Sequence, residues 1–230
     1  MIVFEIKLKV FLLQNIEVKY AQTKIAEFLD KGFLWDEELA KFHEENKFKN
    51  YSFNLPFPLE KDQIYKKGGI YNIIIRTIDE QLARYFSEVC ANTYTESLKG
   101  LTTEIRTLPQ KQIECLYTLL PAILKDEKGY WRSYMNLSEY GERIKVNLIK
   151  KWNQFEHEKL DEEFQLYSLI EFSNKVPVAM EYKNIRLLGD KFCIHITDHP
   201  TAQQLAYMAI GTGVLEMNSR GAGFVNYRWL

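Results

Sequence analysis

Apolar and charged residues alternate at the start of the chain, Phe4, Ile6 and Leu8 against Glu5, Lys7 and Lys9, and this period of two predicts a strand with one buried face. From Val18 the period lengthens. Ile25, Phe28 and Leu29 form a helical stripe that Lys31 and Gly32, a basic last turn and a C-cap glycine, are expected to end. A second, shorter helix is expected from Asp36 to His43, with Asp36, Glu37 and Glu38 at its positively polarised start and Leu39 and Phe42 on its apolar side. Tyr51, Phe53 and Leu55 then alternate up to Pro56 and Pro58, which predicts a strand with a hard stop. Lys66 to Gly69 reads as a turn. The β-branched run IYNIIIRTI behind it is a strand expected to pair with, or lie close to, the preceding one. Thr77 and Glu80 have capping-box spacing ahead of a stripe of Leu82, Tyr85, Phe86, Val89 and Cys90, and LTTEIRTLPQ is a further strand closed by Pro109. The order of these elements is the split βαββαβ unit.

The second half repeats that order. LYTLLPAIL is predicted to be a strand, and Ile144, Leu148, Trp152 and Phe155 step by three and four along a helix that begins near Asn136 or Ser138. FQLYSLIEF is the next strand. VAMEYKNIRLLGDKFCIHITD adds a hairpin about a Lys183-Asn184 turn and a strand pair around Leu188 to Asp190. Thr201 and Gln204, again at capping-box spacing, precede the helix of Leu205, Ala206 and Ala209, and FVNYRWL is the last strand. The expected fold is therefore α+β, two tandem ferredoxin-like (βαββαβ, RRM-like) domains over residues 1–112 and 113–230, with the boundary near Gln110 to Leu116.

At 230 residues, 46% hydrophobic and 27% charged, the chain can bury a sizeable core and has the length for one large or two small domains. The net charge of -1 means that any nucleic-acid contact must come from a local basic face. Cys90, Cys115 and Cys193 are far apart without C-x-x-C spacing, and their apolar neighbours predict buried thiols in a reducing compartment. The N-terminal apolar run is broken by Glu5, Lys7 and Lys9 and lacks a signal-peptide core, and no run reaches membrane-spanning length. Cytoplasmic location without membrane partners is the expectation.

The chemistry concentrates at the end of the chain. Gly211, Gly213, Gly221 and Gly223 are four of eleven glycines, and they form two G-x-G units flanking an insert that contains Arg220. Glycine permits positive φ and close backbone approach, so such a loop can line an anion with its N–H groups, or it can simply turn a hairpin. The run TAQQLAYMAI, the glycine-rich segment GTGVLEMNSRGAGF and the terminal strand resemble the C-terminal signature of the CRISPR-associated endoribonucleases that cut precursor CRISPR RNA within its repeats, members of the RAMP superfamily. The resemblance extends to the whole chain in order of elements, with its sharpest motif at the C-terminus. It implies that Gly211, Gly213, Arg220, Gly221 and Gly223 bind RNA backbone.

Four histidines are candidates for proton transfer or metal ligation. His157, in EHEKLDEEF, reads as a solvent-facing loop residue. His195 and His199 are four residues apart with Asp198 between, but one falls in a strand and the other before Pro200 in a turn, so no metal site is expected. His43, at a predicted helix end and followed by Lys47 and Lys49, fits either an exposed helix-end histidine or a functional one. The resemblance favours the second: the phrase HEENKFKNYSF matches the family pattern of a general acid/base histidine after the first helix with a lysine about six residues on, here Lys49. Some members also use a tyrosine of the first helix, and Tyr20 is the tyrosine that precedes His43.

The implied reaction is metal-independent cleavage of CRISPR repeat RNA by its own 2'-hydroxyl, without a cofactor, to give 2',3'-cyclic phosphate and 5'-hydroxyl ends. Further implied partners are other CRISPR-associated effector proteins. Lys7, Lys9, Lys66, Lys67, Arg132, Arg143, Lys145, Lys150 and Lys151 are cations that either extend an RNA surface or are simply solvated. Tyr227 and Trp229 fit either stacking on bases or the core. Two other readings stay open, a non-catalytic RNA-binding subunit of the same superfamily and a ferredoxin-like assembly module.

Overall fold

The computed structural model describes residues 1–33, 41, 45, 47–183 and 185–230. The short helix expected from Asp36 to His43 lies, apart from Lys41, outside the described residues, as do His43 itself and Asn184 of the expected turn.

In the first half, strands β1 (Phe4–Leu12), β2 (Ile16–Glu17), β3 (Tyr51–Phe53), β4 (Ile64–Tyr65), β5 (Ile70–Thr77) and β6 (Leu98–Thr107) accompany helices α1 (Val18–Phe33) and α2 (Glu80–Glu88). Four of these strands form an antiparallel sheet in the order β3-β5-β1-β6, with β2 and β4 paired separately. The second half contains β7 (Ile113–Thr118), α3 (Leu137–Glu156), β8 (Tyr167–Phe172), β9 (Val178–Tyr182), β10 (Ile185–Gly189), β11 (Phe192–Ile196), α4 (Pro200–Thr212) and β12 (Val225–Trp229). Its sheet runs β12-β7-β11-β8, and β9 and β10 form the added hairpin. Both sheets have the strand order of a βαββαβ unit, and the fold is the expected tandem of ferredoxin-like halves.

Each half has its own core, because the alternation read from the sequence is obeyed. Ile6, Leu8 and Val10 of β1 and Ile73 and Ile75 of β5 pack against Ile25, Phe28 and Leu29 of α1 and Leu82 and Phe86 of α2. In the other half Ile144 and Leu148 of α3 and Leu205 and Met208 of α4 pack against Leu116, Ile194 and Val225.

Several helix ends differ from expectation for identifiable reasons. Helix α1 does not stop at Gly32 but continues through Phe33, and Gly32 is needed for contact: a Cβ there would lie 1.8 Å from the Tyr85 hydroxyl, which donates to Leu29 O. The cap of α2 is Asp79, whose carboxylate accepts from Gln81 N and Leu82 N, while Thr77 instead donates its hydroxyl to Asn50 O. For α4 the cap is His199, with Nδ1 accepting from Thr201 N and Pro200 preset in the first turn. The start of α3 is as read, a reciprocal capping box of Asn136 and Glu139, which contributes about 1 kcal/mol.

The two halves share buried structure. Glu5, on the polar side of β1, is only 5% exposed. It accepts from Arg76 Nε at 2.8 Å and Arg106 Nε at 2.8 Å, and Arg76 also donates to Val225 O and Asn226 Oδ1 of β12. The alternation that made Glu5 look solvated holds, but the second half covers that face. Helix α4 is buried all round from Leu205 to Thr212, while Pro200 and Gln204 near its start are exposed, and its buried turns lie between the halves. Its Gly211 allows contact with the other half, since a Cβ there would meet Ile78 Cγ2 at 2.7 Å, and Ser52 donates to Gly211 O. No helix among the described residues is long and apolar enough to cross a membrane.

Candidate nucleic-acid interface and active site

The chain between α4 and β12 folds inward before it turns. Gly213, Gly221 and Gly223 have φ of +70°, +87° and +62°, whereas Gly211 belongs to α4. At Gly223 both properties of glycine are used, because a Cβ would lie 2.1 Å from Val214 O. These glycines are buried. Their N–H groups are engaged internally, Gly213 N with Ala209 O at 2.8 Å, Gly221 N with Asn218 O at 2.9 Å and Gly223 N with Pro121 O at 2.9 Å. They therefore shape the turn rather than offer a row of bare donors. What the turn presents is its insert, Glu216 to Arg220.

Beneath the insert lies Lys151 of α3, 1% exposed. Its Nζ donates to Asn218 Oδ1 at 2.6 Å and to Gly213 O at 2.9 Å, and Asn218 Nδ2 in turn donates to Val214 O and Ala222 O. Burial pushes the ammonium down to about 7, with Glu216 opposing the shift. Lys151 thus departs from the sequence reading of a surface cation. Its place on the α3 stripe next to Trp152 was the available signal.

One turn further along α3, Gln154 holds the segment that follows the undescribed residues. Its Oε1 accepts from Phe48 N at 3.0 Å and its Nε2 donates to Phe48 O at 2.9 Å, pairing with the Phe48 backbone as a strand neighbour would. This clamp puts Lys47, Phe48 and Lys49 along one side of a groove of about 410 Å³. Ser219 and Arg220 line it as well, with Lys125 and Tyr182. Lys49 is held with Nζ 2.9 Å from Glu45 O; burial lowers its pKa, and the nearby Arg220 charge acts in the same direction. Arg220 forms an ion pair with Asp30 of α1. Tyr51 lies behind, its pKa raised chiefly by burial.

The structure thus brings Lys49 and Arg220 into one groove, supported on the glycine turn. Tyr20, 45% exposed at the start of α1 with Lys19 Nζ 4.8 Å above its ring, is not part of the groove wall. His157 caps the C-terminal end of α3 at φ +56° and lines an adjoining groove with Lys47 and Gln154, a nearness its acidic sequence context gives no hint of. His195 and His199 are separated in role: His199 caps α4 and stacks on Phe164, while His195 faces Glu171 across the sheet. The sequence pattern also gives no signal for Asp30, Gln154 or Asn218, whose importance arises only from pairing across the fold.

Comparison with known proteins agrees with the tandem of ferredoxin-like halves. The model of the CRISPR associated protein Cas6 C-terminal family matches residues 108–227, more than half of the chain. The chain belongs to the Cas6 family. Among solved structures it is similar to a CRISPR associated protein Cas6 (TM-score 0.70, 22% identity, covering 98% of this chain and 99% of that one). It is also similar to a RAMP protein binding different RNA substrates (0.71, 15%, 98% and 99%). A third is the Thermus thermophilus Cas6 in a product complex (0.64, 16%, 99% of each). At these identities the likenesses establish the fold. Comparison with curated proteins gives no match.

Proposed function

We propose that this Cas6-family chain is an endoribonuclease that binds CRISPR repeat RNA and cleaves it without a metal ion. The observation that carries the reading is the Gln154 clamp, which seats Lys47 to Lys49 beside Arg220 in one basic groove. Relatives described as a Cas6 product complex and as a RAMP protein binding different RNA substrates support RNA as the ligand. The chain divides functionally near Gln112, with the candidate catalytic segment in residues 1–112 and the glycine turn in 113–230.

RNA carries its own nucleophile. The 2'-hydroxyl attacks the adjacent phosphorus in line as it loses its proton, and the 5'-oxygen leaves as it gains one, giving 2',3'-cyclic phosphate and 5'-hydroxyl ends. His43 serves in one of these proton transfers, as the family phrase around it implies. Lys49, fixed near Arg220, stabilises negative charge growing on the phosphoryl oxygens. Tyr20 is the remaining candidate from the first helix. Gly211, Gly213, Gly221 and Gly223 contribute to RNA binding by setting the path of the turn, and Arg220 by its charge.

The test is single-turnover cleavage of a CRISPR repeat RNA. Cleavage should survive excess EDTA, while 2'-deoxy substitution at the cut nucleotide should abolish it and leave binding largely intact. Strict magnesium dependence of the chemical step would refute the mechanism. RNA bound but left intact would favour the non-catalytic RAMP subunit, a reading supported by the engagement of Arg220 with Asp30. Absence of repeat binding with a stable dimer would favour the assembly module.

A further inference from the structure

The face of the second sheet turned away from α3 and α4 carries a compact set of soft and borderline donors. Core residues Phe192, Ile194 and Ile196 alternate with Cys193 and His195, which therefore share the outer face of β11. Across the ladder, Cys193 is paired with Glu171 of β8, and His195 is paired with Cys115 of β7. The strand has an irregularity between His195 and Ile196, a feature that re-aims side chains locally. His195 Nε2 lies 2.9 Å from Glu171 Oε2 and 3.9 Å from Cys193 Sγ, and the three donor atoms all fall within 4.8 Å of one another.

We infer that Glu171, Cys193 and His195 form a binding site for a zinc-class divalent cation. In a tetrahedral zinc site a thiolate sulfur and an imidazole nitrogen stand about 3.5 Å apart and a nitrogen and a carboxylate oxygen about 3.4 Å, from metal distances of about 2.3 and 2.1 Å. The observed pairs need to close by a few tenths of an ångström and open by about half an ångström to meet those separations. The chemistry balances: Cys193 releases its thiol proton to solvent, His195 binds as neutral imidazole through Nε2 with its one ring proton on Nδ1, and one carboxylate and one thiolate neutralise the dication. Thiolate and imidazole select zinc, cobalt or nickel over magnesium and calcium. The metal has a path of entry, since the side chains of His195 and Glu171 are 26% and 61% exposed.

Cys115 is paired with His195 across the ladder, and Arg228 places Nη2 3.4 Å from Cys115 Sγ while its Nε is bound to Glu114, so its charge is partly compensated; burial raises the Cys193 thiol pKa, a cost that metal binding has to offset. The site joins the edge strand β8 to β11 and shares no residue with the basic groove. A metal here clips the sheet edge and takes no part in cleavage.

Untagged full-length protein stripped with chelator should take up one equivalent of Co²⁺, with tetrahedral d–d absorption and a sulfur-to-cobalt charge-transfer band, and Zn²⁺ should displace it. Cys193→Ser should eliminate the charge-transfer band, and His195→Gln should weaken binding by roughly tenfold or more. Cys90→Ser and His199→Ala should match the parent. Should Cys193→Ser not fold, His195→Gln with Glu171→Gln supplies the same comparison. Substoichiometric uptake by folded parent protein at micromolar metal, or undiminished cobalt binding in the folded His195 variant, would overturn the site and leave Glu171 and His195 an ordinary ion pair.

Discussion

Lys151 and Asn218 meet inside the protein, the lysine Nζ 2.6 Å from the asparagine Oδ1, and through that contact α3 supports the turn before the last strand. The lysine is depressed to about 7 by burial, against about 10.4 in an unfolded chain. Below pH 7 both states hold the proton, and the cost of burying the cation is borne in full. Between pH 7 and about 10 the unfolded chain keeps the proton that the native state sheds, so this lysine's contribution to stability rises with pH. Urea unfolding from pH 6.5 to 9.5 should show that rise relative to Lys151→Met, and parallel curves would refute it. The methionine variant leaves Asn218 Oδ1 and Gly213 O without their donor, which at pH 8.5 should destabilise by about 1–3 kcal/mol.

Gly223→Ala should disrupt the turn in two ways, through φ of +62° and through a Cβ 2.1 Å from Val214 O. A loss of about 1–3 kcal/mol from the backbone alone is expected, with repeat-RNA affinity reduced in variants that remain folded. At Gly221 the added Cβ would meet Phe53 Cε2 at 2.8 Å, and valine should be worse than alanine. Arg220→Ala should lower affinity and flatten its salt dependence, with log Kd plotted against log salt as the measurement. Undisturbed binding in all three would reduce the segment to an ordinary turn.

Gln154→Leu removes both contacts with the Phe48 backbone and keeps the side-chain volume. Cleavage should slow by roughly tenfold to a hundredfold as Lys49 loses its fixed position, an effect of the size that small misplacements produce. The melting temperature should move little, because the clamp is only partly buried. A parental rate would show that the clamp does not position the catalytic segment.

His43→Ala should slow single-turnover cleavage by about 10²- to 10⁴-fold with RNA binding little changed, the usual effect of losing a general acid or base. Lys49→Ala should reduce rate and, to a smaller degree, affinity. His157→Ala is the informative control because that imidazole lines the adjoining groove. A parental rate in His43→Ala with a defect in His157→Ala would move the proton transfer to the end of α3.

The fold was legible because it rests on periodicity. The alternation at β1 and the stripe of Ile144, Leu148 and Trp152 each chose one face, and the structure buries that face. The less legible features depend on partners far away in the chain. Capping-box spacing at Thr77 and Thr201 was misleading because Asp79 and His199 were nearer the first turns. Glu5 and Lys151 read as solvated charges, since neither Arg76 nor Asn218 is near in sequence. The glycines marked the turn correctly, but not the direction in which their N–H groups point. For the candidate site, Lys49 and Arg220 were found in the sequence, whereas Gln154 and Asp30, which hold their surroundings, carry no local pattern.

From Leu205 to Thr212 helix α4 has no free side, and this ties the two halves together. Ala206, Met208 and Ile210 are each fully buried, and Tyr207 ties the helix to both ends of the first half through Val3 N and Leu108 O. Spreading the halves would put that surface into water, which opposes their separation. For an RNA bound across the two halves the expectation is that it conforms to the protein, so that affinity among repeats follows how readily each RNA deforms.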